Sequence, residues 1–127
     1  MCPFCLPNPL DRIFQTAHFY AIFDRAPVTD GHILIISKEH RQDLFDLNQE
    51  EYRDLCFAVQ EAKLRFFPHL GKPDGFNIGA NCGEAAGQSV MHFHLHVIPR
   101  RKGDIENPRG GIRNLMKSRE ELWPEGA

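Results

Sequence analysis

Three histidines at alternate positions, His92, His94 and His96, are the residues of this chain whose types and spacing point most directly to chemistry. Apolar residues alternate with them, and this period of two predicts a β-strand over Met91–Ile98 that closes at Pro99. At a rise of about 3.3 Å per residue, the three rings stand on one face of the strand, roughly 6.6 Å apart. The opposite face, directed into the core, carries Met91, Phe93, Leu95 and Val97.

A row of histidines on one strand face has three interpretations. A solvated face would more often carry threonine, lysine and glutamate, because histidine is not a strong strand former. A metal ion could bind two neighbouring histidines, but the first and third rings, about 13 Å apart, could not share one ion. The third interpretation is a site in which neutral and protonated imidazoles do different work near physiological pH.

The N-terminal run Cys2-Pro-Phe-Cys5 also has competing interpretations. A redox pair needs its first cysteine at the N-terminus of a helix that follows a strand, but only Met1 precedes Cys2. Pro7 and Pro9 also oppose a helix directly after the pair. Two thiolates two residues apart make half of a tetrahedral zinc site whose other two ligands come from elsewhere. This half-site is favoured over an unmetallated pair and over a redox pair.

The bulk properties of the chain set limits on its class. Its 127 residues, 42% hydrophobic and 25% charged, predict one globular domain with a substantial core. A net charge of −2 gives no reason to expect nucleic acid as a partner, and no apolar run approaches the ~20 residues of a transmembrane helix. Four cysteines without a recognisable signal peptide predict free thiols in a reducing cytoplasm.

Other segments predict the scaffold that positions these residues. Aromatic and β-branched residues over 13–24 predict one or two strands, and 32–37 and 76–81 predict two more. One helix is predicted over 48–67, capped at its start by Asn48 and Glu51. Its apolar stripe, expected to face the core, contains Tyr52, Leu55, Cys56, Val59 and Phe66.

The histidine strand, with its lead-in Gly87-Gln-Ser-Val90, resembles the signature of the histidine triad (HIT) family of nucleotide hydrolases and transferases. The run from Gly31 to His40 resembles a second landmark of that family, with Ser37 where many members have proline. The resemblance covers residues 2–113 of a single domain, 1–127, and leaves 114–127 as a tail. It implies an α+β fold with an antiparallel sheet of about five strands, one main helix and a homodimer.

The resemblance also implies a role for each candidate site residue. The catalytic residues are His94 as nucleophile, His96 as donor to the phosphoryl oxygens and His32 as the group that orients the site. The implied substrate contacts are Asp24 on the ribose, His96, and the polar or loop residues Asn81, Gly87, Gln88, Ser89 and Val90. Family members with an N-terminal Cys-x-x-Cys bind zinc, and the corresponding ligands here are Cys2, Cys5, His40 and His92.

The basic run after the strand, Pro99-Arg-Arg-Lys-Gly-Asp104, resembles bacterial members that hydrolyse dinucleoside polyphosphates. We therefore expect cleavage of a substrate of the diadenosine tetraphosphate type through a nucleotidyl-histidine intermediate. The alternatives are a purine nucleoside phosphoramidase, a nucleotidyl transferase, and a zinc-stabilised nucleotide-binding module with little catalysis. Base selection is expected to depend on side chains such as Ile13, Phe14 and Phe23.

Overall fold

The computed structural model describes residues 2–5 and 8–116. Within these ranges, five strands form one antiparallel sheet in the order β1-β2-β3-β5-β4. The strands are β1 (Phe14–Gln15), β2 (Phe19–Phe23), β3 (Ile33–Ser37), β4 (Gly75–Gly79) and β5 (His94–Arg100). One α-helix, α1 (Gln49–Glu61), follows β3 in the chain. The expected α+β architecture is confirmed.

Part of the expected C-terminal tail, residues 117–127, lies outside the described residues. Within the described ranges, no helix is both long enough and apolar enough to cross a bilayer.

The two faces of the sheet carry different sets of residues, because side chains alternate along each strand. One face packs against α1 and builds the main core, to which Leu95 and Val97 of β5 and the preceding Phe93 contribute as expected. Met91, expected on the same face, lies before the strand, is only half-buried and belongs to neither apolar cluster. The other face carries a small apolar group formed by Tyr20, Leu34 and Ile36, with Phe4 and Ile22 packed against it. This second face is the one on which the histidines lie.

Helix α1 begins as its sequence predicts. The Asn48 side chain accepts a hydrogen bond from the Glu51 N–H, and the Glu51 carboxylate accepts one from the Asn48 N–H, so the capping box is formed. After Glu61 the chain continues through a π-helical turn, Ala62–Phe66, and a 3-10 turn, Phe67–Leu70. The helical path then ends at Gly71, whose φ of 79° is left-handed.

The expectation that Cys56 is a core residue is wrong, because its side chain is exposed. The buried stripe of the helix passes through Leu55, Ala58 and Ala62, at spacings of three and four residues. Cys56 is one residue, or about 100°, around the helix from Leu55, and that rotation turns it towards solvent.

The histidine strand starts and ends later than predicted, at His94 and Arg100. The first residue of the strand is later than predicted because the Ser37 carbonyl, at the end of β3, accepts from the His92 ring and not from a backbone N–H. Pro99 is tolerated within the strand because pairing with β3 has already ended at Val97. The Pro99 nitrogen, which has no hydrogen to donate, therefore faces β3 beyond the last paired residue.

Candidate active site

Strand register arranges the histidine face as rows that run across the sheet. Tyr20, Ile36 and His94 are paired in one row. Ile22, Leu34, His96 and Gly79 are paired in the next. In the third row the Asp24 N–H donates to the His32 carbonyl, and Ile98 pairs with Asn77. Residues distant in sequence, 24, 32, 94 and 96, are thereby gathered on one face.

His94 is held in a defined tautomer. Its Nδ1 lies 2.8 Å from the His92 carbonyl oxygen, and a carbonyl only accepts, so Nδ1 carries the proton. The ring is 8% exposed and contacts the edge of the Phe4 ring, with centroids 5.2 Å apart. Nε2 has no hydrogen-bond partner within the described residues and is not fully buried. In the neutral ring the lone pair therefore lies on this nitrogen.

Consecutive hydrogen bonds fix the rings of His32 and His96. The Val28 N–H donates to His32 Nδ1 at 3.2 Å, so His32 carries its proton on Nε2. That nitrogen lies 2.9 Å from His96 Nδ1 and donates to it, which places the His96 proton on Nε2. An Asp24 oxygen stands 3.3 Å from His32 Nε2 and 3.8 Å from His96 Nδ1. His96 Nε2–H is therefore a donor pointed away from the pair.

Burial lowers the pKa of both His32 and His96. For His32 the desolvation effect exceeds the attraction of Asp24, which acts in the opposite direction. For His96 burial is again the largest cause, and the neighbouring His94 and His32 lower its pKa further. The neutral forms that the hydrogen bonds require are thus also the forms that the environment favours.

Asp24, His32 and His96 form a cluster whose composition would suit a metal ion. The Val28 N–H argues against that use, because it occupies His32 Nδ1 and leaves the proton on Nε2, the atom that faces the cluster. A ligating nitrogen must be deprotonated. We therefore interpret this cluster as a hydrogen-bonded group of side chains.

The Gly87–Val90 loop is braced by a buried side chain. Gln88 donates both amide hydrogens to backbone carbonyls, of Gln42 at 2.6 Å and Val90 at 3.1 Å. Its carbonyl accepts from the Gly83 N–H at 2.8 Å. With both donors occupied, the Gln88 side chain in this conformation shapes the loop and has no hydrogen left for a phosphate.

Other donors of the loop are available. The N–H groups of Ser89 and Val90 have no hydrogen-bond partner within the described ranges, whereas those of Gly87 and Gln88 donate to backbone carbonyls. Ser89 is exposed at the surface of the loop. The amide nitrogen of exposed Asn81 lies 3.9 Å from where a Cβ at Gly87 would stand, which places Asn81 beside the same loop.

A buried ion pair connects this site to α1. Glu51 is fully buried, and its carboxylate receives the Arg41 guanidinium at 3.0 and 3.1 Å in addition to capping the helix. The Arg41 carbonyl accepts the Phe93 N–H, directly before His94. The segment 41–42 therefore braces both the start of β5 and the Gln88 loop. The sequence signal for this brace is limited to the capping box.

A cavity of about 250 Å³ opens beside Asp24 on the histidine face. Its apolar walls are Phe4, Ile22 and Leu34. None of Ile13, Phe14 and Phe23, the side chains expected to affect base selection, lines this cavity. Ile13 and Phe23 line a neighbouring cavity that shares Ile22 and Arg25 with it, so their effect on base selection stays a prediction.

The predicted zinc ligands converge at the start of β5. Ligand atoms of Cys2, Cys5, His40 and His92 all lie within 4.8 Å of one another. His92 Nδ1 is 3.2 Å from Cys2 Sγ, 3.5 Å from Cys5 Sγ and 3.2 Å from His40 Nδ1. A tetrahedron with zinc–sulfur bonds of ~2.3 Å and zinc–nitrogen bonds of ~2.0 Å has edges of similar length.

The donor chemistry of this cluster also fits zinc. His92 donates through Nε2 to the Ser37 carbonyl at 2.7 Å, so the unprotonated Nδ1 faces the thiols. A backbone carbonyl that fixes the tautomer of a ligating histidine is the usual second partner in a zinc site. Two thiols and two imidazole nitrogens make a closed Cys₂His₂ set of the structural type.

Comparison with known proteins decides the family. The family model for the HIT domain matches residues 7–103 of this chain. The chain belongs to the HIT domain family. The resemblance of the histidine strand and of the Gly31–His40 run is thereby confirmed.

Individual HIT relatives agree with this assignment. An uncharacterised HIT-like protein of Mycoplasma genitalium is 38% identical over 89 residues, which are 70% of this chain and 62% of that protein. A bis(5'-adenosyl)-triphosphatase of Dictyostelium discoideum is 35% identical over 107 residues, covering 84% of this chain and 71% of that protein. The crystal structure of a zinc-bound histidine triad protein from Mycobacterium smegmatis superposes with a TM-score of 0.70 at 39% identity, covering 81% of this chain and 77% of that one.

Proposed function

We propose that this HIT protein is a nucleotide hydrolase that cleaves dinucleoside polyphosphates of the diadenosine tetraphosphate type through a covalent nucleotidyl-histidine intermediate. The observation that carries the proposal is the state of His94. Its proton is held on Nδ1 by the His92 carbonyl at 2.8 Å, so in the neutral ring Nε2 carries the lone pair that acts as nucleophile. A hydrolase-named relative at 35% identity supports the substrate class.

In the first step His94 Nε2 attacks the α-phosphorus in line. The nitrogen–phosphorus bond forms as the bond from phosphorus to the bridging oxygen breaks, and ATP departs from diadenosine tetraphosphate. The product is a nucleotidyl-imidazolium, whose positive charge lies beside the His92 carbonyl dipole. His96 Nε2–H donates a hydrogen bond to the departing oxygen, and His32 acts as a positioning residue that keeps His96 in that tautomer.

In the second step water attacks phosphorus and displaces His94. The phosphorus–nitrogen bond breaks with its electrons returning to Nε2, AMP leaves, and one proton of the water passes to solvent. The overall reaction consumes one water and yields AMP and ATP. Phosphoryl transfer depends chiefly on positioning and charge stabilisation, which the Ser89 and Val90 N–H groups and the His96 donor can supply.

The remaining substrate contacts follow from the cavity beside Asp24. We assign the base to the apolar walls at Phe4, Ile22 and Leu34, and the ribose diol to the Asp24 carboxylate. Asp24 already accepts from the Ala26 N–H through one oxygen, which orients the other oxygen towards the histidines.

We assign zinc to Cys2, Cys5, His40 and His92. When bound there, zinc supplies a structural crosslink between the N-terminal segment and the start of β5. The Zn-bound neighbour from Mycobacterium smegmatis supports this assignment.

The test is product analysis with purified protein, diadenosine tetraphosphate and adenosine 5'-phosphoramidate. We expect AMP and ATP from the first substrate, and a loss of at least about three orders of magnitude in turnover for His94→Ala, since a deleted nucleophile removes the covalent route. His69→Ala serves as control, because that histidine lies outside the site. Turnover that survives in His94→Ala would contradict the covalent mechanism.

A phosphoramidase is the second candidate, because the same residues would attack a phosphoramidate with a different leaving group. Cleavage of adenosine phosphoramidate alone would favour it. If neither compound is cleaved while AMP still binds, the protein is a nucleotide-binding module.

A further inference from the structure

A second and larger cavity, about 510 Å³, lies on the same face of the sheet beyond the histidines. Its apolar walls are Val28, Ile98 and Ile105. Val28 and Ile105 are 70% and 50% exposed, which is a high exposure for aliphatic side chains that line one cavity. The side chains of these three residues take no part in the proposed reaction steps.

The position of this cavity relative to the nucleophile is informative. Along β5, His94, His96 and Ile98 follow one another on one face at intervals of about 6.6 Å. In-line displacement puts the departing oxygen on the side of phosphorus opposite His94. A leaving group that departs along β5, past His96, would reach Ile98 and the second cavity. The cavity beside Asp24 lies in a different direction, across the sheet over β2 and β3.

The charges around the second cavity are balanced. Its rim contains two guanidinium groups, of Arg100 and Arg101, and two carboxylates, of Asp30 and Asp104. Arg100 is bound to both oxygens of Asp104 at 2.7 Å. A site for additional phosphates would need an excess of positive charge. A cavity with apolar walls and a rim of balanced charge instead suits an uncharged ligand group with polar edges.

One rim residue also offers a flat, fixed surface. The Arg100 guanidinium is held by Asp104 on one side and donates to the Asn77 side chain at 2.6 Å. A guanidinium immobilised in its plane stacks favourably on aromatic rings. A nucleobase is such a ring, and its edges carry donors and acceptors for polar neighbours such as Thr29 and Asn77.

We propose that the cavity formed by Val28, Ile98, Ile105 and Arg100 is a subsite for the departing nucleoside of a dinucleoside polyphosphate. The inference rests on the proposed function for the direction in which the leaving group departs. Binding of the second nucleoside at this subsite would favour dinucleotides over substrates with a small leaving group.

The test is calorimetric binding of two ligands to the intact protein, AMP and a diadenosine tetraphosphate analogue with methylene groups in place of the bridging oxygens. In Ile105→Ser we expect the Kd of the analogue to rise about fivefold, since part of an apolar contact is lost, and that of AMP to stay within twofold. Ile98→Ala provides a second variant. Ile112→Ser is the matched control, because Ile112 is 53% exposed and lies outside the cavity lining.

Equal weakening of both ligands, or no change for the analogue, would overturn the subsite. Turnover of diadenosine tetraphosphate and of adenosine phosphoramidate by wild-type protein is measured in parallel. If neither is cleaved while Ile105→Ser weakens only the analogue, the proposed hydrolase function fails and the subsite stands. If diadenosine tetraphosphate is cleaved while the variants leave binding unchanged, the function stands and the subsite fails.

Discussion

At the scale of single residues, the site depends on which nitrogen of each ring carries a proton. The His32–His96 bond, at 2.9 Å between Nε2 and Nδ1, exists only when one nitrogen donates and the other accepts. A second proton on either ring would place N–H against N–H at this contact, or break the bond from the Val28 N–H. The pair is therefore a neutral unit, and burial acts in the same direction.

We predict that the pKa values of His32 and His96, measured by NMR titration, both lie below the ordinary value of 6.5. Asp24→Asn should lower the His32 pKa further, because Asp24 favours the protonated ring. Since the folded protein binds these protons more weakly than the unfolded chain, the contribution of both rings to stability is fully present above about pH 6.5 and is lost as pH falls through the lowered values. A His32 pKa at or above 6.5 would contradict the assigned hydrogen bonds.

The sequence could predict the residue types of the site but not these proton positions. His32, His94 and His96 are recognisable from spacing and resemblance. Their tautomers depend on the Val28 N–H and the His92 carbonyl, which are backbone groups common to every sequence. Gln88 is a different case: the resemblance implied a substrate contact, and the bracing of the loop by its side-chain amide could not be predicted from the sequence.

At the scale of elements, the N-terminal segment 2–5 joins two sites. Cys2 and Cys5 contribute half of the Cys₂His₂ cluster, while Phe4 between them lines the cavity beside Asp24 and contacts the ring of His94. The Tyr20 hydroxyl donates to the Phe4 carbonyl at 2.5 Å, and this bond is an additional anchor. Because Phe4 lies between two of the four candidate ligands, zinc bound there would hold Phe4 in place.

We predict that removing zinc with a chelator weakens AMP binding by about tenfold, because the cavity loses its aromatic wall. Linkage requires AMP to raise the equilibrium affinity for zinc by the same factor. Calorimetry with AMP and competition with a zinc-binding dye measure both sides. Phe4→Ala is the matched variant, since it keeps all four ligands: it should retain zinc, bind AMP weakly and show no further loss on chelation. AMP affinity indifferent to zinc in the wild type would contradict this coupling.

Local signals predicted the elements to different degrees. The start of α1 was predictable because Asn48 and Glu51 satisfy its first N–H groups through neighbours in sequence. The start of β5 was not, because it depends on a contact between the His92 ring and the Ser37 carbonyl, 55 residues away in the chain. The exposure of Cys56 likewise follows from which side of α1 meets the sheet.

At the scale of the whole molecule, one edge of the sheet and one side of the helix leave apolar groups uncovered. β4 is an edge strand, paired on one side only with β5. Ile78 on this strand, and Phe57 and Leu64 on the helical segment, are 39%, 50% and 69% exposed. A small cavity lined by Val59, Phe67, Phe76 and Ile78 joins the two elements. A strand with one unpaired edge beside an apolar surface favours association with a second copy.

We predict a homodimer in solution through this surface, with β4 edges facing one another. Ile78→Lys should raise the dimer dissociation constant by about tenfold or more, since it buries a charge beside an edge strand. Analytical ultracentrifugation over a concentration series measures the equilibrium, with circular dichroism to verify that the variant is folded. Phe45→Ser is the control, because Phe45 is 77% exposed and lies away from β4, so the equilibrium should not move. A wild-type chain that stays monomeric throughout the micromolar range, or a dimer that Ile78→Lys leaves intact, would show that this surface has another role.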